Sequence, residues 1–189
     1  MSPIHYRFEQ TLAWHCAPSL AGIKAADLLS WTVEGREGTD LLSHYADLLS
    51  SRGIRLYVLG ARRGRTLLLI FRPRRLDCWL AQAKVREMLD KAGYPVSRDT
   101  EAMLAHLRRR LQGGEFPHEI GLFLGYPPGD VEGFLRDGGR HCKLCGPWKV
   151  YDNVEEAARR FAAFHRCRDA LTQRVDRGIP LSRVFPAVS

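Results

Sequence analysis

The run Thr66-Leu67-Leu68-Leu69-Ile70-Phe71 constrains this chain more than any other stretch. Six β-compatible residues with almost no polar alternation require cover on both faces, which makes the run a central strand rather than a solvated edge. Arg72-Pro73 stops it, because proline has no N–H to give to a ladder. A second β-rich run, residues 54–59, precedes it across the glycine-bearing loop 60–65, so the two read as a hairpin. A chain with such a strand needs helices above and below it, and the remaining sequence supplies them.

Helical spacing is read over residues 5–15, 18–24, 39–52, 76–92, 100–111, 117–124, 128–136 and 152–176. Pro18 and Pro128 suit first helical positions, and Gly53 and Gly93 suit stops. Asp152 and Glu155 stand at capping-box spacing, and residues 147–151 read as a third strand. The stretch 25–33 is apolar without a clear period. The expected fold is α/β of the α+β type: a small three- to four-stranded sheet with a β-hairpin, packed by six to eight helices. No repeat or long linker divides the chain, so residues 1–189 read as a single domain.

Composition narrows the class further. Apolar residues make up 45% and charged residues 26%, which fits a chain with a buried core and excludes a disordered one. No apolar run approaches the about 20 residues that span a bilayer, and the first ten residues lack the pattern of a secretion signal. A cytoplasmic protein without a membrane partner is the expectation. The five cysteines, an odd number, then argue against a disulfide framework.

Three sites could carry chemistry. The first is Cys142-Lys143-Leu144-Cys145-Gly146. Two cysteines three apart, backed by glycine, form one half of a metal knuckle, and the same spacing serves redox dithiols. Redox dithiols begin helices, whereas a strand follows here, so zinc or iron ligation is the preferred reading of the two. A closed site needs more ligands, and Cys16, Cys167, His15 and His141 would have to supply them from elsewhere in the chain. Cys167 also lies between Phe164 and Leu171 on an apolar helical face, where a plain buried thiol packs well.

The second site is Cys16, placed just before the helix expected at Pro18, where a helix dipole would favour a thiolate. His118 would be its base and Glu119 the orienter, as in a Cys-His hydrolase or transferase. The simpler alternative is a small buried thiol and a packed histidine. The third site is an anion or nucleic-acid surface built from Arg62, Arg63, Arg65, Arg72, Arg74 and Arg75, in a chain with 29 Lys+Arg against 21 Asp+Glu, net charge +8. A solvated basic face explains the same residues. Ile120–Arg136 has helix-turn-helix spacing, but its second helix is net acidic, so it reads as a structural corner and nucleic acid as an improbable partner.

The segments HCAPSLAGIKAADLLS, GIRLYVLGARRGRTLLLIFRP and FPHEIGLFLGYPPGDVEGFL, followed by CKLCGPWKVY, resemble an uncharacterised bacterial family, the domain of unknown function numbered 3793, found mainly in anaerobes. The resemblance covers about residues 12–175 and leaves 178–189 as a tail. It carries no assigned reaction or catalytic residue. It implies a redox or iron context, an accessory role beside a redox or iron-handling partner, and interest in His15, Gly125, Tyr126, Pro127, Trp148, Lys149 and Tyr151 besides Cys16, His118 and Glu119.

Overall fold

The computed structural model describes residues 2–62, 64–113 and 115–188. Within them the chain forms nine helices and two small antiparallel sheets, the α+β architecture expected. The main sheet contains β1 (Ala26–Trp31), β2 (Arg55–Arg62) and β3 (Arg65–Phe71) in the order β1-β3-β2. β3 is therefore central and pairs on both sides, Leu69 facing Leu28 on one strand and Tyr57 on the other. Strand alternation sends Leu67, Leu69 and Phe71 to one face and Leu68 and Ile70 to the other, and all five are buried.

Each face receives its own helical layer. α1 (Pro3–Leu20), α2 (Gly35–Ser50) and the C-terminal half of α8 (Val154–Asp176) cover the face of Leu68 and Ile70. α3 (Pro73–Leu80), α4 (Ala83–Lys91), α5 (Thr100–Leu111) and α6 (Ile120–Phe123) cover the opposite face. A smaller cluster lies beside them: Trp148, Val150, Ala157, Phe161 and Phe164, formed by the N-terminal half of α8 and the hairpin of β4 (Leu144–Cys145) and β5 (Lys149–Val150). α7 (Pro128–Asp137) leads toward that hairpin, and α9 (Leu181–Val184) lies near the C-terminus.

Several local readings of the sequence change. Residues 5–15 and 18–24 do not form two helices, because α1 runs unbroken to Leu20 with Pro18 in its last turn. Phe8, Leu12, Cys16 and Leu20 recur every four residues and are fully buried, so the packing of one continuous stripe outweighs the hydrogen bond that Pro18 forfeits. Residues 25–33 contain an edge strand, β1. The helix expected over 76–92 breaks at Ala81-Gln82 into α3 and α4. α8 is capped by Asn153, whose Oδ1 accepts from Glu156 N at 3.0 Å, one residue past the expected Asp152. The third strand shrinks to two residues in a separate hairpin.

Five charged side chains are buried among the described residues, and three of them, Glu9, Lys24 and Asp27, tie elements of the fold together. Glu9 accepts from Tyr45 Oη at 3.0 Å and from Leu181 N at 3.0 Å, tying α1 to α2 and α9. Lys24 and Asp27 form a buried ion pair at 2.5 Å, and Asp27 also accepts from Ser19 N at 3.1 Å. The Lys24 ammonium lies over the rings of Tyr126 and Phe164, which links the main sheet to the smaller cluster. No helix among the described residues is long and apolar enough to cross a membrane.

Candidate functional site

Two-residue strands do not hold themselves together. The β4–β5 hairpin, with Leu144 opposite Val150 and Cys145 opposite Lys149, is held from outside by Asp130 in the first turn of α7. Asp130 is 3% exposed. Its Oδ2 accepts from Trp148 Nε1 at 2.7 Å, and its Oδ1 accepts from Tyr151 N at 2.7 Å and Asp152 N at 3.2 Å. Three donors satisfy the buried carboxylate and fix both ends of β5. Trp148 then stacks on Tyr126 at 5.0 Å and meets Phe161 edge-on at 4.5 Å. Arg160 closes the back of this box, its guanidinium 5.0 Å from the Trp148 ring while it donates to Gly125 O at 2.8 Å. The turn passes so close to α8 that a Cβ at Gly146 would lie 2.3 Å from the Phe161 ring.

The hairpin presents the thiols outward. Cys145 is exposed and Cys142 half-buried, and their Sγ atoms are 3.3 Å apart. The Lys149 ammonium donates to Cys145 Sγ at 3.0 Å. These contacts divide the pair. The Lys149 hydrogen bond, helped by that from Cys142, lowers the Cys145 pKa. Cys142 moves up, first because its proton is held in the bond to Cys145. Lys149 moves up because its charged form is the one that Cys145 favours. One sulfur is thus favoured as thiolate and its neighbour as thiol. The pair could also supply two thiolates to a metal ion, but no group of three or more His, Cys, Asp or Glu suited to one occurs among the described residues.

A pocket of about 360 Å³ opens beside the hairpin. Phe116, Tyr126, Phe134 and Trp148 line it with Leu124 and Val131, and Gly146, Pro147 and Lys149 make the thiol turn part of the lining. His118 also lines it, packed against Phe134 at 5.0 Å between ring centres.

The other expected site residues are dispersed. Cys16 is inside α1, not ahead of a helix, and is fully buried in the cluster on the Leu68 face. Burial pushes its thiol well above the ordinary range, the opposite of an activated nucleophile. His118 lines the pocket together with Leu28, which packs on the opposite face of the sheet from Cys16, so Cys16 and His118 are not brought together. Glu119 does not orient His118 either: it is buried, accepts from Tyr94 Oη at 3.0 Å and pairs with Arg110 at 2.8 Å. Cys167 donates to Ala17 O at 3.4 Å beside the same cluster as Cys16, and burial raises its pKa. Neither thiol joins Cys142 and Cys145.

The arginine cluster is likewise divided. Arg65 donates to Ser30 Oγ and Ser30 O at 2.8 and 2.7 Å, and Arg72 donates to Leu20 O and Arg52 O at 2.9 and 3.2 Å. Arg74 and Arg75 are exposed at the start of α3. Arg63 and the side chain of Arg62 lie outside the described residues. The residues that sequence reasoning passed over are Asp130, read only as an unwanted acid on a recognition helix, and Lys149 as the cation for Cys145. Placing Lys149 four residues after Cys145 across a Gly-Pro turn was the available signal.

A family model described as "Protein of unknown function (DUF3793)" matches residues 12–185, ten residues beyond the C-terminal limit expected of the resemblance. No curated protein and no solved structure matches the chain.

Proposed function

The chain belongs to the DUF3793 family, and we propose that it is a thiol–disulfide exchange protein of cytoplasmic redox metabolism, with Cys145 as nucleophile and Cys142 as resolving thiol. The observation that carries this is the Lys149 ammonium on Cys145 Sγ at 3.0 Å with Cys142 Sγ at 3.3 Å. In helix-borne dithiols the helix dipole stabilises the thiolate. Here Cys145 lies in strand β4, with Cys142 in the segment before it, and the cross-strand lysine does the same work. One sulfur favoured as thiolate beside one kept as thiol suits exchange, which is why redox chemistry outranks the zinc or iron ligation that the following strand favoured in the sequence.

The Cys145 thiolate attacks one sulfur of a substrate disulfide. An S–S bond forms to Cys145, the substrate S–S bond breaks, and the first substrate thiolate leaves. Cys142 loses its proton to solvent and attacks Cys145 Sγ, which forms the Cys142–Cys145 disulfide and expels the second substrate thiolate. The protein dithiol is oxidised by two electrons and the substrate disulfide is reduced to two thiols. A cellular dithiol reductant restores the protein.

Cys142→Ser tests this on the full chain. It should accumulate a stable mixed disulfide on Cys145, seen as a mass addition of one substrate half, while the wild type passes on to an internal disulfide. Equal reactivity of Cys145→Ser and wild type toward disulfides would overturn the reading. So would stoichiometric zinc or iron in anaerobically purified protein that is lost in Cys142→Ser.

A further inference from the structure

We infer that the pocket beside the hairpin is a substrate subsite selecting disulfides that carry an aromatic ring within a few bonds of the sulfur; this rests on the thiol–disulfide exchange reading.

Three observations converge on it. The first is continuity. Cys145 is followed directly by Gly146, Pro147, Trp148 and Lys149, and all four line the pocket, so its wall is the backbone that holds the nucleophile. A group seated there meets a lining that begins one residue along the chain from the exposed Cys145. The second is shape and chemistry. About 360 Å³ lies in the range of small-molecule sites, and the aromatic side chains of Phe116, Tyr126, Phe134 and Trp148 are part of the lining.

The third is the state of the polar groups. Asp130 reaches the lining, but three donors already occupy its carboxylate. Lys149 is turned to Cys145, and the Tyr126 hydroxyl donates to Pro147 O at 3.1 Å. Lys149 is also the one lysine or arginine among the described lining residues. A ligand with several carboxylates, such as oxidised glutathione, finds no cations there beyond the one committed to the thiol. An aromatic ring finds packing without having to displace any of these bonds. His118 is the remaining polar side chain of the lining.

Two sources offer this chemistry: a small arylalkyl disulfide, and a peptide cystine with an aromatic residue beside the cysteine. The full-length reduced protein is mixed under anaerobic conditions with carboxylated dibenzyl disulfide, with 2-hydroxyethyl disulfide, and with the disulfides of Phe-Cys and Gly-Cys. Each rate is divided by that of a free model thiol with the same disulfide. The aryl member of at least one pair should react at least tenfold faster than its non-aryl partner, and the pair that shows the larger ratio identifies the source. In Phe134→Ala and in the pocket-filling Val131→Phe the ratio should fall to within threefold of unity.

The thioether analogue of the dibenzyl compound should bind saturably to Cys142→Ser/Cys145→Ser, which has no reactive pair, and at least tenfold more weakly when Phe134→Ala is added. Exchange at equal rates for aryl and non-aryl disulfides, with no thioether binding, overturns the subsite and leaves the exchange reading intact. Absence of exchange with every disulfide overturns that reading and the subsite's role with it.

Discussion

Lys149 and Cys145 face each other directly across the β4–β5 ladder, and the ammonium of one donates to the sulfur of the other at 3.0 Å. Cross-strand neighbours have their Cβ atoms close together, so this contact follows from the register rather than from a chance rotamer. A one-residue slip would send the two side chains to opposite faces.

The pH dependence of alkylation follows from that contact. The ammonium stabilises the thiolate, so Cys145 should reach half its maximal alkylation rate at a pH below the about 8.5 of an ordinary thiol. Lys149→Ala removes the stabilising charge and moves the midpoint upward, as does high salt, since the pair is solvent-facing. Iodoacetamide rates for Cys145, resolved by peptide mass spectrometry from acid to alkaline pH, would show it. A midpoint that ignores both changes would mean that the contact does not govern the sulfur.

Thiol labelling of the native protein should divide the cysteines by burial. Cys78, Cys142 and Cys145 react within minutes, and Cys16, fully buried with its thiol pushed up, reacts only on unfolding. Rapid native modification of Cys16 would contradict the packing of α1 against the sheet.

Replacing Asp130 by alanine strands the indole N–H and two backbone N–H groups. A buried acceptor serving three donors is worth about 3 kcal/mol on removal. For a chain of this size that lowers the melting temperature by roughly 6–12 °C. Asp130→Asn, which keeps one acceptor oxygen, should recover part of it. Calorimetry of both variants distinguishes a loss of the hairpin's anchor from a general loss of core packing.

Gly146→Ala places a methyl group 2.3 Å from the Phe161 ring. Either the ring or the turn must shift, at about 1–3 kcal/mol. If the turn yields, Cys145 is displaced, and its alkylation rate should fall along with the thermal stability. Normal values of both would show that Phe161 moves freely.

Lys24→Met leaves the buried Asp27 carboxylate without its ion partner. Breaking such a pair from one side costs about 3–5 kcal/mol, whereas changing both members to apolar residues can be nearly neutral. The double substitution Lys24→Met/Asp27→Leu should therefore be more stable than the single one in urea titrations.

Much of the scaffold was legible because periodicity and breakers act locally. The apolar run 66–71 had to be central, and the helix expected over 100–111 forms as α5, capped by Asp99, which accepts from Ala102 N at 2.8 Å. Errors fell where tertiary packing overrode a local signal: Pro18 was accommodated at the end of a fully buried stripe, and Cys16 went into the core with it. The site was half legible. Spacing singled out Cys142 and Cys145, but not the cation opposite them or the carboxylate behind them, because a register and an inter-element contact carry no signature of their own. His118 did reach a pocket, though beside Phe134 rather than a cysteine.

Asp130 belongs to a helix, yet its three acceptor contacts all end on the segment that follows the thiol turn. The reactivity of the dithiol is therefore not portable. A synthetic dodecapeptide copying residues 141–152 would keep both sulfurs and the lysine but lose the frame that aligns them, and it should titrate like any pair of free mercaptans. Grafting the activity onto another scaffold would require moving the helix along with the loop.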